Sequence, residues 1–269
     1  MNKNSNVLRN IGIFIIIPLF ILGLYYSTFY DYLFFHTFVE FFSVLIGFGV
    51  FVIAWNSRHV SEDDFLLYIG LSFLFVSTID ILHTVSYKGM NILIGFDSNL
   101  PTQLWIAARY LQSISFLLSS FFLKRRIKPG LLLGSLSLIT ILLIASIFLG
   151  IFPDCYIENS GLTNFKIVSE YFISTISLLS SVLFFMNRKY LEKQVFQLIM
   201  FSIILMIGAE LAFTFYVDVY GLSNFIGHIF KLFSFYFVYK AIVETGIKKP
   251  SALLHKKLNQ SVKDLRLLS

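Results

Sequence analysis

Charged residues and cysteine are both scarce in this chain. Only 13% of its 269 residues are Asp, Glu, Lys or Arg, about half the share that is typical of a soluble domain. Cys155 is the single cysteine, which excludes an intrachain disulfide and a structural zinc site built on cysteines. Phosphate-binding glycine loops, nucleophile elbows and other catalytic motifs are also absent from the sequence. We therefore predict no enzymatic activity for this polypeptide.

Hydrophobic residues are abundant and occur in long runs. They make up 57% of the chain, whose mean hydropathy is +0.79. Runs such as IGIFIIIPLFILGLYY and LLLGSLSLITILLIASIFLG are long enough to cross about 30 Å of hydrocarbon as an α-helix. The first run lacks a small-residue cleavage site, so we interpret it as a retained helix rather than a signal peptide. The composition predicts an all-α membrane protein embedded in a lipid bilayer.

Charges and turn residues divide the hydrophobic runs into a predicted bundle of eight transmembrane helices. Residues 1–246 would form this membrane domain, and residues 247–269 a juxtamembrane linker followed by a cytoplasmic helix. No internal repeat indicates the inverted halves of a transporter. The predicted spans are 11–29, 33–55, 65–84, 103–123, 130–152, 167–186, 195–217 and 225–244.

The basic residues predict the orientation of the bundle. If the N-terminus is cytoplasmic, all but four of the 21 Lys and Arg residues fall in cytoplasmic segments. The exceptions are Lys88 and Lys166 in predicted outside loops, and Arg109 and Lys231 within predicted spans. This asymmetry predicts a multi-pass protein of the plasma (inner) membrane with both termini in the cytoplasm. It also accounts for the net charge of +6 without a nucleic-acid partner.

Eight ionisable residues lie in the outer halves of predicted spans, where each charge costs roughly 2.5–3.5 kcal/mol to insert. Three pairs are spaced three or four residues apart, which places both members on one face of a helix. We predict that spans 2, 3, 4, 7 and 8 bring them together in an outward-facing polar pocket for a small ligand, a metal-bound species or a proton. The predicted ligand-binding residues are His36, Glu40, Asp80, His83, Arg109, Glu210, His228 and Lys231.

Other interpretations of these residues remain open from the sequence. Arg109 with Glu40 or Asp80, and Lys231 with Glu210, would also serve as purely structural ion pairs between helices. Any histidine near a helix end would also serve as an anchor at the membrane interface.

Two more residues are expected at the interface. Trp105, which follows Pro101 in the sequence, is expected to anchor span 4 at the outer interface, as tryptophan commonly does. Glu170 opens span 6 and is expected in the headgroup layer.

Bound metal or haem is a further possibility. The candidate ligands are His36, His83 and His228, because imidazole with carboxylate suits zinc, iron or copper and two facing histidines suit haem iron. No tight H-x-x-H or H-E-x-x-H motif supports a metal site, however, and Arg109 and Lys231 favour a small anionic or polar ligand over a cation alone. The cofactor is therefore left open. A haem- or metal-binding membrane oxidoreductase or electron carrier and a small-solute transporter are the alternatives to a sensor.

The C-terminal segment combines a helix stop with a second helical pattern. Gly246 and Pro250 are predicted to end span 8. From Ser251 an amphipathic helix is predicted, either interfacial or a signalling helix that pairs with its copy in a homodimer. Its apolar stripe is Leu254, Leu258, Val262 and Leu265.

Four blocks of the sequence resemble one family, the membrane-associated sensor domain of the third type. The blocks are FHTFVE (35–40), DILHTVSYKGM (80–90), NLPTQLWIAARYL (99–111) and GHIFKLFSFYFVYKAIVETG (227–246). They contain all of the predicted ligand-binding residues except Glu210. The resemblance implies the N-terminal input module of bacterial histidine kinases and diguanylate cyclases, with no defined ligand.

The resemblance also implies a signalling partner. In this family the tail usually continues into sensory, kinase or cyclase domains, and such sequences are not found up to Ser269. We therefore expect a cytoplasmic kinase, cyclase or sensory domain to receive the signal, in cis or in trans. The expected mechanism is a movement of span 8 that repositions the tail helix.

Overall fold

The computed structural model describes residues 3–59, 64–123, 125–214 and 221–248 and a few positions of the tail, with side chains from Ile15 onward. Within these residues the chain forms eight α-helices. They are α1 (Lys3–Tyr30), α2 (Tyr32–Ser57), α3 (Phe65–Ser86), α4 (Asn99–Ser119), α5 (Pro129–Phe148), α6 (Asn164–Met186), α7 (Lys193–Thr214) and α8 (Leu222–Val243). The prediction of an all-α protein is confirmed.

Six of the described helices are long and apolar enough to cross a membrane, namely α2, α3, α5, α6, α7 and α8 with its extension to Lys248. At 1.5 Å per residue each spans roughly 30 Å or more, the thickness of the hydrocarbon layer. Residues 15–30 of α1 form a shorter apolar stretch. The chain is therefore a multi-pass helical membrane protein, while eight crossings and two cytoplasmic termini remain predictions.

Helix α3 lies at the centre of the bundle. In its most apolar window 72% of the residues are buried, compared with 22% in α5. It packs against α2, α4 and α5, while α8 packs against α2 and α7, and α6 against α4 and α7. The outer faces expose large apolar side chains such as Leu131 and Ile141, a surface suited to hydrocarbon rather than water. Polar residues of α3 are consequently enclosed by other helices.

Small residues bring α2 and α3 close together. A Cβ atom added at Gly47 would lie 1.9 Å from Ser77 Oγ, and one added at Gly70 would lie 2.2 Å from Ala54 Cβ. Such distances are available only where a side chain is missing, as in the small-residue contacts of membrane helices. These two close approaches fix the separation of α2 and α3 over the stretch between them.

Several helix ends differ from the sequence prediction. Helix α6 begins before Lys166, so this residue lies in the first helical turn with 3% of its surface exposed and not in an outside loop. A π-helical segment, Glu244–Lys248, carries α8 past Gly246, where an end was predicted. The amphipathic stripe predicted for the tail lies, apart from Leu258, outside the described residues.

The loops after α3 and α5 meet at one end of the bundle, the hairpin end. Strands β1 (Tyr156–Ile157) and β2 (Gly161–Leu162) form a short antiparallel hairpin there. The side chain of Asn99, at the start of α4, fastens it: Oδ1 accepts hydrogen bonds from the backbone N–H groups of Cys155 and Tyr156 at 2.8 and 3.0 Å. Its Nδ2 donates to Asp154 Oδ1 at 2.7 Å. The hairpin is thereby tied to α4.

This clamp buries the only thiol of the chain. Cys155 is fully buried, and burial raises the pKa of its thiol to about 12. Because the thiolate is the reactive form, we expect maleimide at neutral pH to modify Cys155 at least ~10-fold more slowly in folded than in denatured protein. Asn99→Ala should release the hairpin and speed the reaction. Mass spectrometry over a time course measures the rate.

The matched control for this measurement is Lys88→Ala. Lys88 reaches the same hairpin through an exposed ion pair with Glu158 at 3.1 Å, and such pairs contribute only about 0–1 kcal/mol. Equal modification rates in the two variants would contradict the role assigned to Asn99.

Candidate functional site

Four charged residues from four helices form a chain of buried ion pairs. Arg109 Nη2 on α4 donates to both carboxylate oxygens of Asp80 on α3, at 2.6 and 2.7 Å. Lys231 Nζ on α8 lies 3.1 Å from Asp80 Oδ2 and also contacts Glu40 Oε2 on α2. None of the four exposes more than 2% of its surface. Two positive and two negative charges therefore balance within the bundle, as buried charges require.

Three histidines adjoin the ion pairs. His228 Nδ1 lies 3.0 Å from Glu40 Oε1. His36 Nε2 lies 3.3 Å from His83 Nε2, and His83 Nδ1 lies 2.8 Å from the carbonyl oxygen of Pro101, to which an Nδ1–H would donate. None of the three exposes more than 5% of its surface, so the alternative of interfacial histidine anchors is wrong.

The structure thus brings together seven of the eight residues singled out in the sequence. We call them the polar cluster: His36, Glu40, Asp80, His83, Arg109, His228 and Lys231. The spacing within each helix explains the convergence, because residues three or four apart share one helix face and the faces of α2, α3 and α8 point to the interior. The ion pair of Arg109 with Asp80 is confirmed, whereas the alternative pair of Lys231 with Glu210 is wrong, since Lys231 pairs with Glu40 and Asp80.

Glu210 is the residue that lies apart. It lies on α7, and only a narrow gap, without room for a water molecule, separates it from Arg109 and Lys231. Both of its carboxyl oxygens, Arg109 Nε and Gln112 Nε2 have no hydrogen-bond partner among the described residues. Unpaired donors and acceptors thus line the same gap, although burying such groups is costly.

Trp105 belongs to this region and was assigned wrongly from the sequence. It is 5% exposed, and its ring packs edge-on against Phe213 and against His228. The Arg109 guanidinium and the Lys231 ammonium lie 4.7 and 4.9 Å from the ring centroid, within cation–π range. Trp105 therefore packs against the polar cluster and does not anchor α4 at the membrane interface. Trp105 lies one helical turn before Arg109, and this spacing in the sequence could have predicted that both residues face the interior.

Glu170 was also assigned wrongly. The structure buries it completely, and its Oε1 lies 2.6 Å from Lys166 Nζ, which also donates to the carbonyl oxygen of Phe213 at 2.7 Å. An acidic residue one turn after a lysine near a helix start resembles an interfacial pair in sequence. Here the pair faces α7 instead of the headgroup layer.

A pocket opens beside the cluster at the hairpin end. Its volume is about 70 Å³, enough for a few water molecules or a small ligand. His83 and His228 belong to both the pocket wall and the cluster, so a molecule in the pocket would touch two of the three histidines. The wall consists of His83, Tyr87, Lys88, Ser98, Pro101, Thr102, Trp105, Leu162, Lys166, Phe213, Asn224 and His228.

The geometry separates the two cofactors considered from the sequence. Haem between histidines needs flat space between the helices, but His36 and His83 touch through their Nε2 atoms and His36 stacks on Tyr87 at 3.6 Å. The described residues do not fit a haem. A single ion is different, because one ligand atom from each of His36, Glu40 and His228 lies within 4.8 Å of the others.

These observations define a helical membrane protein with a buried network of charges and imidazoles beneath a pocket. A family model described as a membrane-associated sensor domain (MASE3) matches residues 27–250, and the chain belongs to this family. No curated protein and no solved structure shows significant similarity to the chain. The resemblance seen in the four sequence blocks is confirmed, and all residues of the polar cluster lie within the matched range. The protein is a membrane sensory domain.

Proposed function

We propose that the polar cluster and the adjoining pocket form the detection site of this sensory domain. The pocket connects the hairpin end, predicted to face outward, with His83 and His228. A small ligand, a metal-bound species or a proton that reaches these imidazoles would change their hydrogen bonds. The observation that carries the proposal is that both histidines belong to the pocket wall and to the polar cluster at once.

The contacts of Glu40 indicate how such a change would spread. Its two oxygens are divided between two residues of α8, Oε1 to His228 and Oε2 to Lys231. A change at His228 therefore alters Glu40, the partner that His228 shares with Lys231, and Lys231 in turn touches Asp80. For a ligand to act as a signal, it must bind two arrangements of this network unequally.

Helix α8 is the proposed output of the site. It carries His228 and Lys231 near one end, and its other end packs on α2, where a Cβ at Gly246 would lie 2.9 Å from Ser57 Oγ. Helix α8 therefore has polar contacts with α2 at one end and a close contact with it at the other. A change at the polar end would shift the other end of α8 against α2. We place the Gly246 end in the cytoplasm, where a homodimer would pass its movement to a kinase, cyclase or sensory domain.

The test is whether the network sets the position of α8. Spin labels at Asn56→Cys and Ile247→Cys, in a Cys155→Ser background, report the distance between the ends of α2 and α8 in detergent. Glu40→Gln weakens the contacts to His228 and Lys231. We expect a second distance population, displaced by about 1–2 Å, the size of helix shifts in switching proteins. Pulsed electron paramagnetic resonance measures the distance distribution between the two labels.

The control is Ser202→Ala, which removes an uncharged hydrogen bond between α7 and α8, that of the Ser202 hydroxyl with Ser234 Oγ at 2.9 Å. The bond from Ser234 Oγ to the Ser202 carbonyl oxygen is kept. Ser202→Ala should leave the distance distribution unchanged. If Glu40→Gln folds and retains the wild-type distribution, or if both variants shift it equally, the proposed route from the cluster to α8 is wrong.

A further inference from the structure

We infer that His36, His83 and His228 bind a late first-row transition-metal ion, such as Cu²⁺ or Zn²⁺, with Glu40 as the carboxylate beside it. This inference rests on the proposed function, because it names the class of ligand that the same site detects. Imidazole is a suitable ligand for all of these ions.

The spacing of two imidazole nitrogens fits a shared ion. His36 Nε2 and His83 Nε2 are 3.3 Å apart, and two nitrogens bound tetrahedrally at zinc distances are separated by about 3.3 Å. His36 is also a member of the group with Glu40 and His228, whose ligand atoms lie within 4.8 Å of one another. His36 is therefore the common ligand. His228, which also lines the pocket, is the third imidazole of the set.

Hydrogen bonds orient two of the imidazoles as metal ligands are usually oriented. His83 uses Nδ1 for the Pro101 carbonyl, and His228 uses Nδ1 for the Glu40 carboxylate. Each bond leaves Nε2 for an ion, the arrangement found around metal-bound histidines. His36 Nδ1 has no hydrogen-bond partner among the described residues although the side chain is fully buried.

The basic groups of the region are all paired with carboxylates, so they do not create an excess positive charge that would favour an anion. Arg109 and Lys231 already pair with Asp80 and Glu40, and Lys166 with Glu170. These basic groups are engaged by carboxylates, and the groups that the cluster presents to the pocket are imidazoles.

A bound ion would also change the ion pairs. One carboxylate cannot neutralise both an ion and Lys231, so a cation at Glu40 weakens the link between α2 and α8. Glu210 lines the gap beside Lys231 and Arg109 with both oxygens unpaired among the described residues. It supplies a second carboxylate for the displaced ammonium. This exchange gives the ion different affinities for two arrangements, as a switch requires.

Metal binding by the full chain in detergent tests the inference. The protein, purified on a tag without histidine, is incubated with Cu²⁺, Zn²⁺ or Ni²⁺, desalted and analysed for metal content. Trp105 provides a second readout in a Trp55→Phe background, since its ring centroid lies 5.5 and 5.9 Å from those of His83 and His228. We expect about one ion per chain and a change in Trp105 fluorescence that saturates at the same ratio.

Variants locate the ion. His36→Ala and His83→Ala should abolish stoichiometric binding, and Glu40→Gln should weaken it about 10–100-fold, as loss of supporting residues does elsewhere. His59→Ala removes an exposed histidine at the opposite end of α2 and should bind as the wild type does. Circular dichroism identifies any variant that fails to fold.

Two results would overturn the inference. One is wild-type protein that retains none of the three ions, and the other is binding that His36→Ala and His83→Ala leave intact. Neither result affects the outcome of the spin-label experiment, because that experiment uses no metal. A shift of α8 in Glu40→Gln without metal binding would keep the detection site and reject the ion as its ligand.

Discussion

Asp80→Asn is expected to lower the free energy of unfolding by about 3–5 kcal/mol, the usual cost of removing one partner from a buried ion pair. Asp80 accepts two hydrogen bonds from Arg109 and one contact from Lys231. Lys231 keeps Glu40 in the variant, but the Arg109 guanidinium loses the carboxylate with which it pairs among the described residues. Titration with sodium dodecyl sulfate in mixed micelles, followed by circular dichroism, measures the loss.

A double variant separates charge from packing. Asp80→Asn with Arg109→Met removes both members of the pair and leaves Glu40 with Lys231, so the remaining charges balance. We expect it to recover most of the stability that Asp80→Asn loses, since it leaves no buried charge without its partner. Glu158→Gln, in an exposed ion pair, should change stability by less than about 1 kcal/mol. A double variant as unstable as the single one would contradict this account.

Gly70→Ala is expected to destabilise the fold by about 1–3 kcal/mol through overpacking. The new Cβ would lie 2.2 Å from Ala54 Cβ and 3.4 Å from the carbonyl oxygen of Val50. Both are fixed to the backbone of α2, so the clash cannot be relieved by rotating a side chain. The helices must separate at this point. The same detergent titration measures the effect.

The reciprocal exchange provides the decisive control. Gly70→Ala combined with Ala54→Gly moves the methyl group from one helix to the other and should restore most of the lost stability. Gly134→Ala, on the exposed side of α5 where nothing lies within 4 Å of the new Cβ, should be neutral or stabilising by up to about 1 kcal/mol from helix propensity. Equal losses for Gly70→Ala and Gly134→Ala would exclude close packing as the cause.

Much of the fold and part of the site were predictable from the sequence because hydrocarbon imposes simple rules. Long apolar runs mark helices, and charges within them must face the interior. Depth along the helix and the spacing of His36 with Glu40, or of Asp80 with His83, therefore identified residues that do meet. The depth of a residue and the spacing between residues are properties of a single helix, so they can be predicted without knowing which helices pack against it.

The choice of partners was not predictable, because it depends on how each helix is rotated within the bundle. Glu210 has the depth expected of the cluster, yet it faces the gap beside Arg109 and not the ion-pair chain. The predicted interfacial positions of Trp105 and Glu170 were wrong for a related reason. Tryptophan and glutamate near a helix end are common at membrane interfaces, and only the neighbouring helices decide whether such a residue is enclosed.

The order of the pairs along the chain has a consequence for biosynthesis. Asp80 and Arg109 are 29 residues apart, and they can meet as soon as α3 and α4 have left the ribosome. Glu40 and Lys231 are separated by 191 residues, which at roughly 5–20 residues per second corresponds to roughly 10–40 s of translation. For this interval the Glu40 carboxyl lacks the ammonium group of Lys231. Arrival of α8 is thus the event that completes the charge balance of the newly made protein.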